Sequence, residues 1–396
     1  MAATTSELAA LVALAALPGI GPATLQAIGW AGSIDAWAAV SSGRSGRHRA
    51  LASIGPRGRE HEARRALEEA ARSIDPDRFL ERHLAHGIVV VAHGQPGYPP
   101  RLADDPSPPA LVFIDGSLDA LDGPVIGIVG TRNATQLGCD TAAGLATDLA
   151  RCGVSIASGL ALGIDGAAHR PLVDGRVRVP PGAPIGRPIA VVAAGLDHRY
   201  PRRHAGLHDE VARVGAVISE VPFGVEPTRW RFPARNRIIA ALADALLVVE
   251  SRSAGGSMIT VKEALDRGTT VLAVPGHPSA AASAGTLDLI CEGAIPVRDA
   301  GDVLVAIGRG GADVAAQRSA SSSHGQPRPV DDDAATRAVL GHLERGPATL
   351  DSLLLGTARP LAEVSSVLVR LEAGERIVRS GGWFELRRSA AGARPV

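Results

Sequence analysis

The sequence predicts an α/β protein built on an open, mostly parallel sheet, with a small helical domain before it and a winged-helix-type unit after it. Three observations predict this. Between residues 86 and 308, short apolar runs rich in Val, Ile, Leu and Ala alternate with helical patterns. Residues 1–85 are rich in Ala, Leu and Arg, with apolar side chains recurring at the helical period. Residues 334–396 give three helical patterns and then two short strand-like pieces around Gly381 and Gly382.

Taken in order, SELAALVALAAL (6–17) and REHEARRALEEAARSI (59–74) are the helical stretches of the first domain. Between them, LPGIGPATL (17–25) has the Gly-Ile-Gly turn and apolar shoulders of a helix-hairpin-helix, which either points backbone N–H groups at a phosphate or packs two helices. The strands follow as VIGIVG (125–130), VSIAS (154–158), PIAVVAAG (188–195), GAVISE (215–220), ALLVVE (245–250) and TTVLAVPG (269–276). Runs of this length, ten to thirty residues apart, suit about six or seven strands buried on both faces by crossover helices. The stretch 173–187 reads as an exposed loop. Residues 309–333, rich in Gly, Ser, Ala and Pro, read as a flexible linker because they carry too little apolar surface to offset ordering.

Composition narrows the function. The 396 residues are 45% hydrophobic and 21% charged, which is ordinary globular composition. Lys+Arg and Asp+Glu both number 41, so an anionic partner must meet a local patch rather than a basic body. Three scattered cysteines, Cys139, Cys152 and Cys291, argue against a disulfide framework or a four-cysteine zinc site. Neither a secretory signal nor a membrane span is expected, and the cytoplasm is the expected location.

Several strand ends carry candidate chemistry. GIVGTRNATQLG (127–138) is a dinucleotide turn, a generic phosphate-binding turn with Arg132 as a five-donor fork, or a plain strand-to-helix joint. In SGLALGIDGAAHR (158–170), Asp165 and His169 stand four apart; they are a general base with its orienter, or an N-cap and a packed histidine. LDHRYPRRH (196–204) is a metal-ligand cluster or a solvated loop feeding positive charge toward an anionic groove, and neighbouring arginines disfavour the metal. Gly255, Gly256, Ser257 and Thr260 form a donor-rich joint suited to a second phosphate. The densest pattern is EPTRWRFPARNRIIAALADALLVVE (226–250). Arg229, Arg231, Arg235 and Arg237 are interleaved with Trp230 and Phe232, and Asn236 is placed to cap or to bond backbone. Guanidinium groups for phosphates and a ring for a base face are what single-stranded nucleic acid uses. Alternatively the rings are core anchors and the arginines bond the domain's own carboxylates.

Together, YPPRLADDPSPPALVFIDG (98–116), GIVGTRNAT, SGLALGIDGAAH, GLDHRYP, ISEVPFG, FPARNRIIAALADALLVVE, GGSMIT, AVPG and GTLDLICEGA resemble the DNA-processing protein A family in number, order and spacing. The resemblance covers residues 100–295. It implies an extended Rossmann-like domain between a helix-hairpin-helix or SAM-like domain and a winged-helix-like domain. It also implies a homodimer that binds single-stranded DNA without a nucleotide cofactor and loads the RecA recombinase in natural transformation, alongside single-strand-binding protein. Carried over by motif, Thr131 and Arg132 occupy the family's Gly-Ser-Arg turn, Arg229 its basic position, Phe232 its phenylalanine, and Arg235, Asn236 and Arg237 its RNR unit. Backbone N–H groups near Thr131, Gly159 and Gly256, with Ser257, are expected to assist; no catalytic or metal-binding residue is implied. His204, Gly255 and Leu287 depart from the family pattern. The rival is a lysine-decarboxylase-like nucleotide phosphoribohydrolase, against which AVPGHPSAAASAG lacks the following glutamate.

Overall fold

The structure, a computed structural model, describes residues 4–52, 54–55, 57–309, 333–374 and 376–387. Apart from Arg309 and Asp333, the expected linker lies outside the described residues. The chain forms two compact units, one ending and the other beginning within that stretch.

The first unit is built on a mostly parallel, Rossmann-like sheet. Its strands are β1 (Val89–Ala92), β2 (Leu111–Gly116), β3 (Val125–Val129), β4 (Ser155–Ser158), β5 (Pro188–Val191), β6 (Ala216–Ser219), β7 (Ala245–Val248), β8 (Thr270–Ala273) and β9 (Ile295–Pro296). Among the described residues they run in the order β1-β2-β6-β5-β4-β3-β7-β8-β9. The six strands read from the apolar runs are β3 to β8, and all pair in parallel. Missed in the sequence were the antiparallel edge strands β1 and β2 and the two-residue β9. The parallel arrangement sends every strand from β3 to β8 toward one rim, where the loops collect.

Alternation along β2 shows how the two faces fill. Leu111 and Phe113 join one core with Leu11, Leu14, Leu67 and Leu80 from the N-terminal helices. Val112 and Ile114 join the other, with Ile238, Leu242 and Leu246. The N-terminal helices are therefore a layer on the sheet, continuous with its core. Their first helix, Thr5–Ala16, opens with a capping box between Thr4 and Glu7. Helix Pro76–Ala85 delivers His83 into this core, fully buried. Its Nδ1 meets the Phe79 carbonyl at 2.8 Å, and its Nε2 accepts from the Phe223 N–H at 2.9 Å. The ring stacks on Phe223 at 4.3 Å. This fixes the neutral tautomer and ties the helical layer to the loop that follows β6.

The second unit has helices Ala334–Leu343, Leu350–Thr357 and Leu361–Ala373, with strands β10 (Ala348–Thr349), β11 (Ile377–Ser380) and β12 (Trp383–Leu386). Strand order β10-β12-β11 with a two-residue hairpin makes this a winged helix. Gly381 and Gly382 both take positive φ, at 57° and 86°, as a tight hairpin of this length requires. Val339, Leu353, Val367, Leu371 and Phe384 form its core. Among the described residues no single helix is long and apolar enough to cross a membrane.

Burial holds His83 below the usual histidine range, His208 at about 4 and His169 at about 3. All three are neutral in the fold at pH 7, whereas unfolded histidine protonates near about 6.5. Their contribution is therefore complete above about pH 6.5 and is lost as the pH falls from there toward the folded values. Denaturant unfolding at pH 7.5 and 5.5 should show a clearly lower midpoint at 5.5. A flat profile across that window would show that these imidazoles are not buried neutral.

Candidate nucleic-acid interface

The loops after β3, β4 and β5 border an open cleft at the carboxyl rim of the sheet. Its floor is small and apolar, with Gly159, Val192, Ala193 and Ala194; Arg132, Tyr200 and Phe232 stand around it. Arg132 is exposed on the turn after β3, and its guanidinium carbon lies 5.1 Å from the centre of the Phe232 ring. The Tyr200 ring lies 5.5 Å from the Phe232 ring, tilted against it. The two side chains expected to meet a strand, Arg132 and Phe232, thus share one wall.

The loops are held by close backbone approach. Gly163 takes φ +75°, and a Cβ there would lie 2.3 Å from the Thr131 carbonyl oxygen, so only glycine lets the β4 loop press on the β3 loop. Leu160 also adopts a positive φ, of 56°, which is unusual for a branched residue. Its carbonyl is bonded at 2.9 Å to His204 Nδ1, and Arg170 supports the same ring at 3.4 Å. His204 therefore braces the strained turn beneath the cleft, which gives this departure from the family pattern a structural part.

Below the cleft lies a charged pair of residues that do not touch as an ion pair. Arg235 is 4% exposed and Asp165 is 8% exposed. Arg235 Nη1 donates to the Val191 carbonyl at 2.5 Å, and a Cβ on Gly159 would come within 2.1 Å of that nitrogen. Burial lowers the guanidinium to about 10, with Asp165 opposing the shift, so it stays charged at neutral pH. Burial raises the Asp165 carboxyl, and Arg235 opposes that shift. Asp165 does not cap helix Ile164–Val173: Gly163 precedes that helix, and the carboxylate receives the Ala161 N–H at 3.4 Å. His169 is sealed from solvent. No hydrogen bond joins it to Asp165 among the described residues, so the general-base pairing has no geometry behind it.

The turn after β3 is closed to a pyrophosphate. Thr135 caps helix Gln136–Arg151, and the position an anion would take there holds the protein's own Glu250 carboxylate. It accepts from the Thr135 N–H at 2.9 Å and the Thr135 hydroxyl at 2.5 Å. Gly138 is required because a Cβ would meet that carboxyl at 2.3 Å. Thr131 lies beside it, its N–H committed to the Glu250 carbonyl at 2.7 Å. Gly256 and Ser257 follow β7, across β3 from the cleft. Gly256 is exposed, whereas the Ser257 hydroxyl is buried and bonded to Ser251 at 2.7 Å.

Helix Arg231–Leu242 sorts the arginine cluster by its period. Phe232 and Arg235 are one turn apart and face the cleft. Arg237 turns away and is 8% exposed; its guanidinium binds the buried Glu220 and, at 2.9 Å, the Ser107 carbonyl. The expectation that Arg237 holds a phosphate is therefore corrected, since its donors serve the domain's own acceptors. Asn236 is in mid-helix and caps nothing. Arg229 is exposed in the turn before the helix, and Arg231 stacks on the half-exposed Trp230 at 4.5 Å. Sequence reasoning missed Tyr200 and His198, which also line the cleft. Their position just past a strand end on the shared rim was the available signal. Among the described residues no group of three or more His, Cys, Asp or Glu side chains could hold a metal.

Replacing Arg237 by Met strands Glu220 in a buried site, so unfolding free energy should drop by about 3 kcal/mol. Urea titration of the variant measures it. A drop below about 1 kcal/mol would show that the pair is solvated.

The comparisons agree with this architecture. Residues 89–308 match the family model for DNA recombination-mediator protein A, and residues 323–382 match the DprA winged helix domain. The DNA processing protein DprA of Bacillus subtilis is 37% identical over 227 residues, 57% of this chain and 73% of that protein. The putative DNA processing protein DprA of Mycobacterium tuberculosis is 37% identical over 286 residues, 70% of this chain and 68% of that one. Protein Smf of Synechocystis is also 37% identical, over 60% of this chain, a match that spans 58% of the relative. The X-ray structure of DNA processing protein A from Streptococcus pneumoniae superposes with a TM-score of 0.58 at 28% identity, covering 77% of this chain and 98% of that one. By the family model matched across more than half its length and by the sheet that carries those motifs, the chain belongs to the DNA recombination-mediator protein A family.

Proposed function

We propose that this chain binds single-stranded DNA in the cleft and, as a homodimer in the cytoplasm, hands the strand to the RecA recombinase during natural transformation. Single-strand-binding protein is the partner that it would displace or work beside. The observation that carries the proposal is the exposed Arg132 guanidinium set over the Phe232 ring, with Tyr200 beside it, at the mouth of an open cleft. A cation that reaches phosphates next to a ring that takes a base face is the chemistry that single strands use. The relatives' names as DNA processing proteins support the same assignment.

The work is binding and positioning, without bond breaking. Arg132 and the exposed Arg229 supply the phosphate contacts, and Phe232 with Tyr200 supplies stacking. The Thr131 N–H and the Ser257 hydroxyl are committed within the protein and shape the surrounding loops, while the backbone around Gly159 and Gly256 and the Asn236 amide would assist. Two copies would place two clefts on one strand, so engagement of the second benefits from effective concentration.

Fluorescence anisotropy with a labelled oligonucleotide tests this. Wild-type affinity should fall steeply with salt, and Arg132→Ala should flatten the log–log slope by roughly 0.7 for each phosphate that the arginine neutralises. Phe232→Ala should weaken binding by about 1–3 kcal/mol with the slope nearly kept. Absence of binding by the wild type, with turnover of a nucleoside monophosphate, would replace the strand binder with a phosphoribohydrolase.

A further inference from the structure

The floor of the cleft contains a feature that general strand binding does not need. Arg235 carries a full charge at 4% exposure, yet its one hydrogen bond among the described residues is from Nη1 to the Val191 carbonyl. Its Nε is buried without an acceptor, and no carboxylate forms an ion pair with it among the described residues. A buried guanidinium with unmet donors is costly unless something else supplies an acceptor. Because Arg235 lines the cleft, its Nη2, which makes no hydrogen bond among the described residues, can take an acceptor from a ligand, whereas the sealed Nε cannot.

The surroundings define what the ligand presents. Ala161, Leu162, Val192 and Ala193 give the deep end an apolar wall, poor for a phosphate and good for a flat ring. Arg132 is the solvated cation at the mouth, where a phosphate stays hydrated. A nucleotide stacking on the Phe232 ring therefore puts its phosphate outward and a base edge inward.

Resting on the single-strand assignment, we infer that the Arg235 guanidinium reads the edge of one base and makes the cleft favour bases with an exocyclic carbonyl over adenine. Arginine only donates. Guanine, cytosine and thymine each present a carbonyl oxygen to such a donor, whereas adenine sets an amino group beside the ring nitrogens of its Watson–Crick and Hoogsteen edges. The amino group meets the guanidinium donor to donor.

Adenine and hypoxanthine probe this effect, since they stack alike and differ only on the Watson–Crick edge, where the six-amino group and N1 acceptor of adenine become a carbonyl and an N1–H donor. Oligonucleotides of abasic spacers carrying a single adenine or a single hypoxanthine are titrated against the wild-type protein by anisotropy. Hypoxanthine should bind roughly 10- to 100-fold more tightly, the size of one net hydrogen bond to a charged donor. Equal affinities for the two probes would overturn the inference while leaving strand binding intact. Arg235→Met and, should that variant fail to fold, Arg235→Gln, whose amide both donates and accepts, provide the second arm: the ratio should shrink toward one in a folded variant, and a ratio retained in either would assign the discrimination elsewhere. If neither probe nor an unmodified oligonucleotide binds the wild type, the strand assignment itself fails, and this inference with it.

Discussion

Arg235 is where three parts of the sheet are fastened together. Its guanidinium reaches from helix Arg231–Leu242 under the loops that follow β4 and β5, donating to Val191 and lying against Gly159 so closely that no side chain fits there. Ile238, Ile239 and Leu242, buried on the sheet, fix the rest of the helix. With its axis fixed from both sides, the first turn has one place to go, and Phe232 projects over the cleft beside Arg132. Pro233 fits within that first turn, where its missing N–H is not needed. The ring of the interface is thus placed by a buried charge that is itself only partly satisfied.

A second constraint decides where on the rim a ligand sits. In open α/β sheets the switch in strand order marks a usual anion site, here between β3 and β7. Glu250 fills it with a carboxylate that satisfies Thr135, and Gly138 exists to make room. An incoming phosphate would meet a negative charge in that place. The open cleft is instead one strand over, above β4 and β5, where small residues leave space and Arg132 brings positive charge. A Rossmann-like sheet thereby keeps its rim while closing the turn that a dinucleotide would use.

Much of this was legible in the sequence. The runs at β3 to β8 are apolar enough to be buried on both faces, so their parallel pairing followed, and with it a shared rim for the loops. β1 and β2 were not legible because an antiparallel edge pair interrupts the β/α alternation, and β9 is too short to show a pattern. The cleft's Arg132 and Phe232 were legible from motif chemistry. The fate of Arg237 depended on Glu220, seventeen residues earlier and brought in only by the sheet. Helix period alone would have separated it from Phe232, because five residues along a helix leave two side chains on different sides. Thr135 and Glu250 are 115 residues apart, a pairing no local pattern contains. His83 likewise looks like one histidine in a polar helix until Phe223 arrives from across the chain.

The central claim is that a single strand lies in the cleft beside Arg132 and Phe232 rather than on the N-terminal hairpin or the winged helix. Photocrosslinking with an oligonucleotide carrying 4-thiothymidine, followed by mass-spectrometric mapping of the modified peptides, addresses it directly. Crosslinks should concentrate on the segments around Arg132, Tyr200 and Phe232. Crosslinks confined to residues 17–25 or 334–387, with those three segments unmodified, would contradict the account.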